Sequence, residues 1–218
     1  GQVLDAIKQA GIEDNTIVIW LSDNSACPTG NPMAYPGGNN GPFRGELGDA
    51  LEGSLRVPGM IKWPGKIKPR KSNEMVSLHD FVPTLAEIIG AKLPSDRPYD
   101  GVDQSKFFLG QQEKSNREHL ITFINNDLAA VRWRHYRMYP NSFTSSAGNP
   151  SQDGGLGVRL MNNELPDLFN IEMDPREQIN ICADNAWVFR HYLRIIGEYK
   201  KSLEKHRNLP SASLTDVK

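Results

Sequence analysis

The sequence predicts an α/β part reaching to about residue 120 and a smaller α+β part after it. Ile17 to Leu21 is an unbroken apolar, β-prone run that stops at Ser22-Asp23-Asn24. A strand without polar alternation suits a parallel sheet covered by helices on both faces. Helical periodicity flanks that run, in Gln2 to Ala10 and again in Phe81 to Ile89. Near Leu120 the texture changes to short strands with turns between them, the pattern of an antiparallel meander, closed by one long amphipathic segment.

Each element has a local reason. Val3, Leu4, Ile7 and Ala10 share one helical face, and Gly11 is a natural stop after it. Asp14-Asn15 turns the chain into the first strand. Residues 25–42 are rich in Gly, Pro and Asn, so a long loop is expected, of a length usually tied to function. Leu55 to Ile61 reads as a second apolar strand, closed by Trp63-Pro64-Gly65, with a basic connector from Lys66 to Lys71. Pro83 falls in the first turn of the Phe81–Ile89 helix, where a missing N–H is harmless. Leu120 to Ile124, Leu128 to Trp133, Tyr136 to Tyr139 and Asp167 to Ile171 read as short strands, and Asn141 to Gly157 as a loop. Asp184 or Asn185 is expected to cap a helix running to about Lys205, burying Trp187, Tyr192, Leu193, Ile196, Tyr199 and Leu203. The tail from Asn208 is polar and expected to fray. The division expected is 1–120 and 121–218.

Composition narrows the function classes. With 25 basic and 26 acidic residues the net charge is −1, which gives no electrostatic case for nucleic acid or an anionic membrane. No apolar run approaches the roughly 20 residues of a membrane span. Two cysteines, Cys27 and Cys182, make no disulfide framework and are expected as free thiols. The opening at Gly1 has no signal-like stretch and starts inside a helical pattern, as a cut fragment would.

The chemistry concentrates early in the chain. Ligands of open α/β sheets bind beyond the carboxyl ends of the strands, where Asp23 and Asn24 stand as two hard oxygen ligands of the kind calcium and magnesium select. Both residues also favour plain strand-ending turns, so position alone leaves that reading open. Arg44 could bind an anionic ester or make a structural ion pair, while Arg56 is expected to pair with Glu46, Asp49 or Glu52. Glu52 is expected to anchor nearby loop amides. Lys62 and Lys66 read as a solvated strand end. Asp80 is expected to cap the following helix rather than act with His79 as an acid/base pair. Arg132-Trp133-Arg134-His135-Tyr136-Arg137 could serve an RNA-binding strand, but half-buried alternation explains it as well.

Several ordered segments resemble the C-terminal part of type I sulfatases, members of the alkaline-phosphatase-like superfamily. Ser22-Asp23-Asn24 is similar to that family's S-D-N-G, and Arg44-Gly45, Gly48, Glu52-Gly53, Arg56 and Pro58 to its R-G-G-K-G-x-x-x-E-G-G-x-R-x-P. Trp63-Pro64-Gly65, Ser77 to Gly90 and Leu165 to Glu177 follow in the same order. The resemblance implies the C-terminal part of an alkaline-phosphatase-like sandwich with a small antiparallel subdomain. It implies hydrolysis of a sulfate ester, calcium (or magnesium) held in part by Asp23 and Asn24, and a sulfate contact for which Arg44 is the candidate. The formylglycine nucleophile of the family's C-x-P-x-R motif would belong to an N-terminal half, the chain's expected partner; Cys27-Pro28-Thr29-Gly30 does not supply it. Localisation would be periplasmic, secreted or lysosomal. One departure stands out: the family lysine that contacts sulfate falls on Leu47, which keeps a phosphate or phosphonate ester hydrolase, or a non-catalytic metal- or partner-binding module, as alternatives. Without its other half the chain is expected to aggregate, self-associate or arise by proteolysis.

Overall fold

The computed structural model describes residues 1–26, 38–124, 127–145, 158–161 and 165–207. Cys27 and the tail from Asn208 lie outside them. Helix α1 (Gln2–Gln9) leads through one 3-10 turn into strand β1 (Val18–Leu21). Helix α2 (Glu52–Leu55) precedes strand β2 (Gly59–Lys62), and helices α3 (Phe81–Ile89) and α4 (Ser105–Phe108) follow. Strands β3 (His119–Ile124), β4 (Asp127–Trp133) and β5 (Tyr136–Tyr139) form an antiparallel meander. Strand β8 (Asp167–Asn170) completes it in the order β3-β4-β5-β8. Strands β6 (Ser142–Ser145) and β7 (Val158–Met161) pair separately, and helix α5 (Phe189–Lys205) closes the fold.

Four expectations are corrected. Within the described residues β1 pairs antiparallel with β2, from Val18 opposite Lys62 to Leu21 opposite Gly59, and Trp20 remains 55% exposed. An apolar run reports that a strand is meant for burial, but not the direction of its neighbour. The predicted strand Leu55–Ile61 begins only at Gly59, because Glu52–Leu55 winds into one helical turn and Pro58 cannot donate to a ladder. The predicted loop Asn141–Gly157 holds β6 at its start, where Phe143 and Thr144 favour a strand. The last helix starts at Phe189 after a 3-10 turn at Ala186–Val188, so its buried face shifts: Val188, Tyr192 and Ile195 are buried, while Trp187 and Leu193 are exposed.

Side chains of a strand alternate between faces, and that period of two divides the four-stranded sheet. One face turns Val131, Trp133, Met138 and Leu168 toward Val188, Tyr192 and Ile195 of the α5 region. Trp133 stacks on His191 with ring centroids 3.8 Å apart. The other face turns Ala130, Tyr139 and Phe169 toward Leu51, and with them come Thr122, Arg132 and Arg137. The sheet is thus a middle layer between α5 and the loop that precedes α2. The basic-aromatic run 132–137 follows from this alternation, with Arg134 at the turn in a left-handed conformation (φ 54°).

Candidate functional site

At the end of β1 the chain folds onto itself. The Asn24 amide donates to Asp23 Oδ1 (3.0 Å) and the Ser22 hydroxyl to the Asn24 carbonyl (2.9 Å). Asp23 and Asn24 are exposed; Ser25 is buried. Asn40 then stitches this corner to the next loop. Its Oδ1 accepts from the Ala26 amide (2.8 Å), and its Nδ2 donates to the Gly45 carbonyl (3.0 Å). The Leu47 amide donates to the Ala26 carbonyl (3.0 Å), so Leu47 lies beside the strand end that carries Asp23 and Asn24.

Asp49 shapes the loop from within, accepting from the amides of Glu46 (2.9 Å) and Leu51 (2.8 Å). Two glycines are demanded by space. The Gly53 amide donates to the Arg44 carbonyl (2.7 Å), and a Cβ on Gly53 would sit 2.6 Å from that oxygen. Gly45 has φ +112°, which an L side chain rarely adopts, and its Cβ would meet Leu51 Cβ at 2.6 Å.

The loop's far end is a buried charge hub. Glu52 accepts from Arg56 Nε (2.6 Å), from Arg137 Nη1 (3.0 Å) and from Arg132 Nη1. Arg137, fully buried, also donates to the Ala50 carbonyl (2.5 Å) and to the Tyr139 hydroxyl (2.7 Å). The Tyr139 hydroxyl donates a hydrogen bond to Glu177 Oε2, and Glu177 Oε1 accepts from the Glu52 amide (2.8 Å). The Glu177 carbonyl receives Arg44 Nη1 (3.0 Å), while the Arg44 amide donates to Pro175 O (3.4 Å). Burial pushes the Glu52 carboxyl up, but the guanidiniums of Arg137, Arg132 and Arg56 outweigh it and hold it below its ordinary 4.5. Burial raises Glu177 and Asp49 above their ordinary values, and the Tyr139 phenol far above its own.

A second hub lies under α3. Arg117 grips the buried Asp80 through Nε (2.9 Å to Oδ2) and Nη2 (2.5 Å to Oδ1), and the amides of Ser77 and Val102 donate to the same carboxylate at 2.8 Å. Burial pushes Asp80 up, but the Arg117 hydrogen bonds prevail and hold it below 3.8.

Comparison with known proteins bears on this geometry. A sequence profile of the Sulfatase family matches residues 1–91. Steryl-sulfatase of Rattus norvegicus is 36% identical over 197 residues, 82% of this chain and 33% of the relative. N-acetylgalactosamine-6-O-sulfatase of Bacteroides thetaiotaomicron is 26% identical over 207 residues, 92% of this chain and 39% of the relative. A solved sulfatase from Pseudoalteromonas sp. superposes with a TM-score of 0.85 at 27% identity, over 96% of this chain and 42% of that one. The chain belongs to the sulfatase family. It spans a third to two fifths of the length of these sulfatases.

Against the sulfatase motifs, the placements are uneven. Asp23 and Asn24 end β1, and Leu47 is tied by its amide to Ala26, two residues beyond Asn24. Arg44 starts the same loop but aims its guanidinium at Glu177, beside a pocket of about 350 Å³ lined also by Leu51, Tyr139, Phe169 and Asn180. Lys62 stands opposite Val18, at the other end of the β1–β2 pair from Asp23, and pairs with Glu13 (2.7 Å). Arg56 pairs with Glu52 as expected. Glu52 itself differs from expectation: it binds three arginines, and Asp49 and Glu177 anchor the loop amides instead. Asp80 is also corrected. It closes a capping box with Ser77 and pairs with Arg117, leaving the N-terminus of α3 without a side-chain cap, and His79 bonds Ser77 instead of Asp80.

Cys182 is a free thiol. No helix among the described residues is long and apolar enough to cross a membrane, and no three His, Cys, Asp or Glu side chains among them converge as a metal site. The residues that sequence reasoning missed are Asn40, Arg117, Arg132, Arg137, Tyr139 and Glu177. For Arg132 and Arg137 the signal was present, since arginines alternating with Trp133, Tyr136 and Met138 mark a second buried, polar face.

Proposed function

We propose that this chain is the C-terminal portion of a sulfatase that hydrolyses a sulfate ester, acting with an N-terminal segment that completes the site. The observation that carries this reading is the corner itself: Asp23-Asn24 at a strand end, with the Leu47 amide bonded to Ala26 two residues further on, in a chain of sulfatase sequence and fold. The donor set suits a divalent cation in kind but not in number. Asp23 offers a carboxylate whose Oδ2 takes no hydrogen bond among the described residues, and Asn24 offers an amide oxygen, whereas calcium takes six to eight oxygens. Asp23 and Asn24 would hold one side of a calcium ion, with magnesium the second candidate, and the N-terminal segment would supply the rest together with the formylglycine nucleophile. Such an ion supplies stabilisation of charge on the sulfate oxygens.

This chain's other contributions are steric and electrostatic. Asn40 and the Ala26–Leu47 bond fix the distance between the ligand pair and the loop. Arg44 is the candidate anion contact, since Nη1 is committed to Glu177 while Nη2 and Nε make no hydrogen bond among the described residues. We divide the chain near residue 120, with the candidate site in the first part and the four-stranded sheet and α5 in the second. A periplasmic, secreted or lysosomal setting follows from family resemblance alone.

The test is made on the protein with its N-terminal segment. Cleavage of 4-nitrophenyl sulfate, lost on chelation and in Asp23→Ala, is the expected result. Cleavage of 4-nitrophenyl phosphate but not the sulfate, the outcome that Leu47 leaves open, would make it a phosphoesterase of the same superfamily. Turnover of neither would leave a binding module.

A further inference from the structure

One residue of the C-terminal segment touches both ends of the site loop. The Glu177 carbonyl receives the Arg44 guanidinium at the loop's start, and the Glu177 carboxylate receives the Glu52 amide at its end. Pro175, two residues earlier, receives the Arg44 amide. Glu177 achieves this double reach through a left-handed backbone, φ 53°, rare for a side chain of its size, and it is 1% exposed. Strained conformations persist where surrounding contacts over-determine them, and such positions cluster at functional sites. Its second carboxylate oxygen accepts a hydrogen bond from the Tyr139 hydroxyl, and Tyr139 is in turn held by Arg137 from β5, so the turn is locked to the sheet as well as to the loop. Between the two anchored ends lies Leu47, bonded to Ala26 beside Asp23 and Asn24.

We infer that Glu177 is a positioning residue for the sulfatase site: the Asp174–Glu177 turn clamps the Arg44–Glu52 loop and thereby sets where Leu47 and Arg44 stand against the Asp23–Asn24 strand end. A residue 125 positions downstream of Glu52, with no place in the chemistry, governs the geometry of the corner. Only the catalytic consequence rests on the sulfatase reading; the clamp itself does not.

Hydrogen–deuterium exchange tests the clamp directly, on the longest soluble form that contains the chain. Glu177→Ala should speed exchange at the amides of Leu47, Glu52 and Gly53 at least tenfold more than at amides of α5. Glu177→Gln keeps a carbonyl oxygen for the Glu52 amide and should restore most of that protection. Ile195→Ala, which loosens the opposite face of the sheet, should leave the ratio of loop to helix exchange at its wild-type value. Should Glu177→Ala not fold, Tyr139→Phe removes one anchor of the same carboxylate and should give the same local pattern at smaller amplitude. Equal acceleration of loop and helix, or the loop pattern in Ile195→Ala, would overturn the clamp. In the active protein, Glu177→Ala should lower kcat/KM at least tenfold at temperatures where it is folded, with rescue by Gln and no change in Ile195→Ala. Absence of any sulfatase turnover would defeat the functional reading and leave the exchange result standing by itself.

Discussion

Replacing Glu52 by Gln removes one negative charge from a site where three guanidiniums meet it. The glutamate side chain is 1% exposed, and Arg137 and Arg132 beside it are 0% and 10% exposed. Gln has nearly the same shape, so packing survives, while the charge and one of the two acceptor oxygens facing the arginines are lost. Breaking a buried pair by removing one partner leaves the other charge uncompensated and costs about 3–5 kcal/mol. For a chain of this size each kcal/mol shifts the melting temperature by about 2–4 °C, so a fall of about 6–20 °C is expected. Arg56 supplies the internal control. It reaches the same carboxylate but is 30% exposed, where ion pairs contribute about 0–1 kcal/mol, so Arg56→Gln should lower the melting temperature by only a few degrees. Thermal unfolding followed by circular dichroism, at fixed pH and salt, compares the two. Equal melting temperatures for wild type and Glu52→Gln would refute the claim that this hub joins the loop to the sheet.

The same hub predicts an acid limit. Because the folded-state pKa of Glu52 lies below 4.5, its stabilisation is complete above that pH and is lost as pH falls through the folded value. Asp80 behaves alike from 3.8 downward, so stability should drop steeply on acidification below about 4.5, and less steeply in Glu52→Gln in urea titrations at each pH. Glu177 and Asp49, raised by burial, act oppositely: their contribution is present at low pH and lost as pH rises through their folded values, which softens the acid slope. Gly53→Ala places a methyl 2.6 Å from the Arg44 carbonyl and should cost about 1–3 kcal/mol by chemical denaturation. In the active protein Arg44→Ala should reduce kcat/KM about a hundredfold, near 3 kcal/mol, and Leu47→Lys should be tolerated; an unchanged rate in Arg44→Ala would move the anion contact elsewhere. The chain by itself should self-associate through the face bearing Trp20 and Met60, 55% and 63% exposed, and analytical ultracentrifugation showing a stable monomer would contradict this.

Local periodicity carried most of the architecture. The helices at Gln2–Gln9 and Phe81–Ile89 and the strands at Leu120–Ile124, Leu128–Trp133 and Tyr136–Tyr139 were legible within a residue or so, because their faces are set by neighbours three, four or two positions away. The partner of β1 was not, since pairing with Gly59–Lys62 depends on contacts between residues as far apart as Val18 and Lys62. For the candidate site only residue types were legible: an acid and an amide at a strand end, a glycine-rich loop, a Glu-Gly. What those types do for one another was not. Nothing in Glu52-Gly53 announces that the carboxylate serves arginines from β4 and β5, or that the glycine exists to let the Arg44 carbonyl approach.

That last point reorders how the motif residues divide their work. Gly45, Gly53, Glu52 and Arg56, which match the family pattern, are all spent on holding the loop, through close approach, left-handed backbone and buried charge. The position that departs from the pattern, Leu47, sits between the anchored ends and depends on the backbone alone for its placement. A loop fixed so firmly at both ends can change the side chain at its centre without changing its path. The scaffold therefore tolerates Leu at the position where the motif it resembles has a lysine, and what that departure alters is the side chain carried there, not the path of the loop.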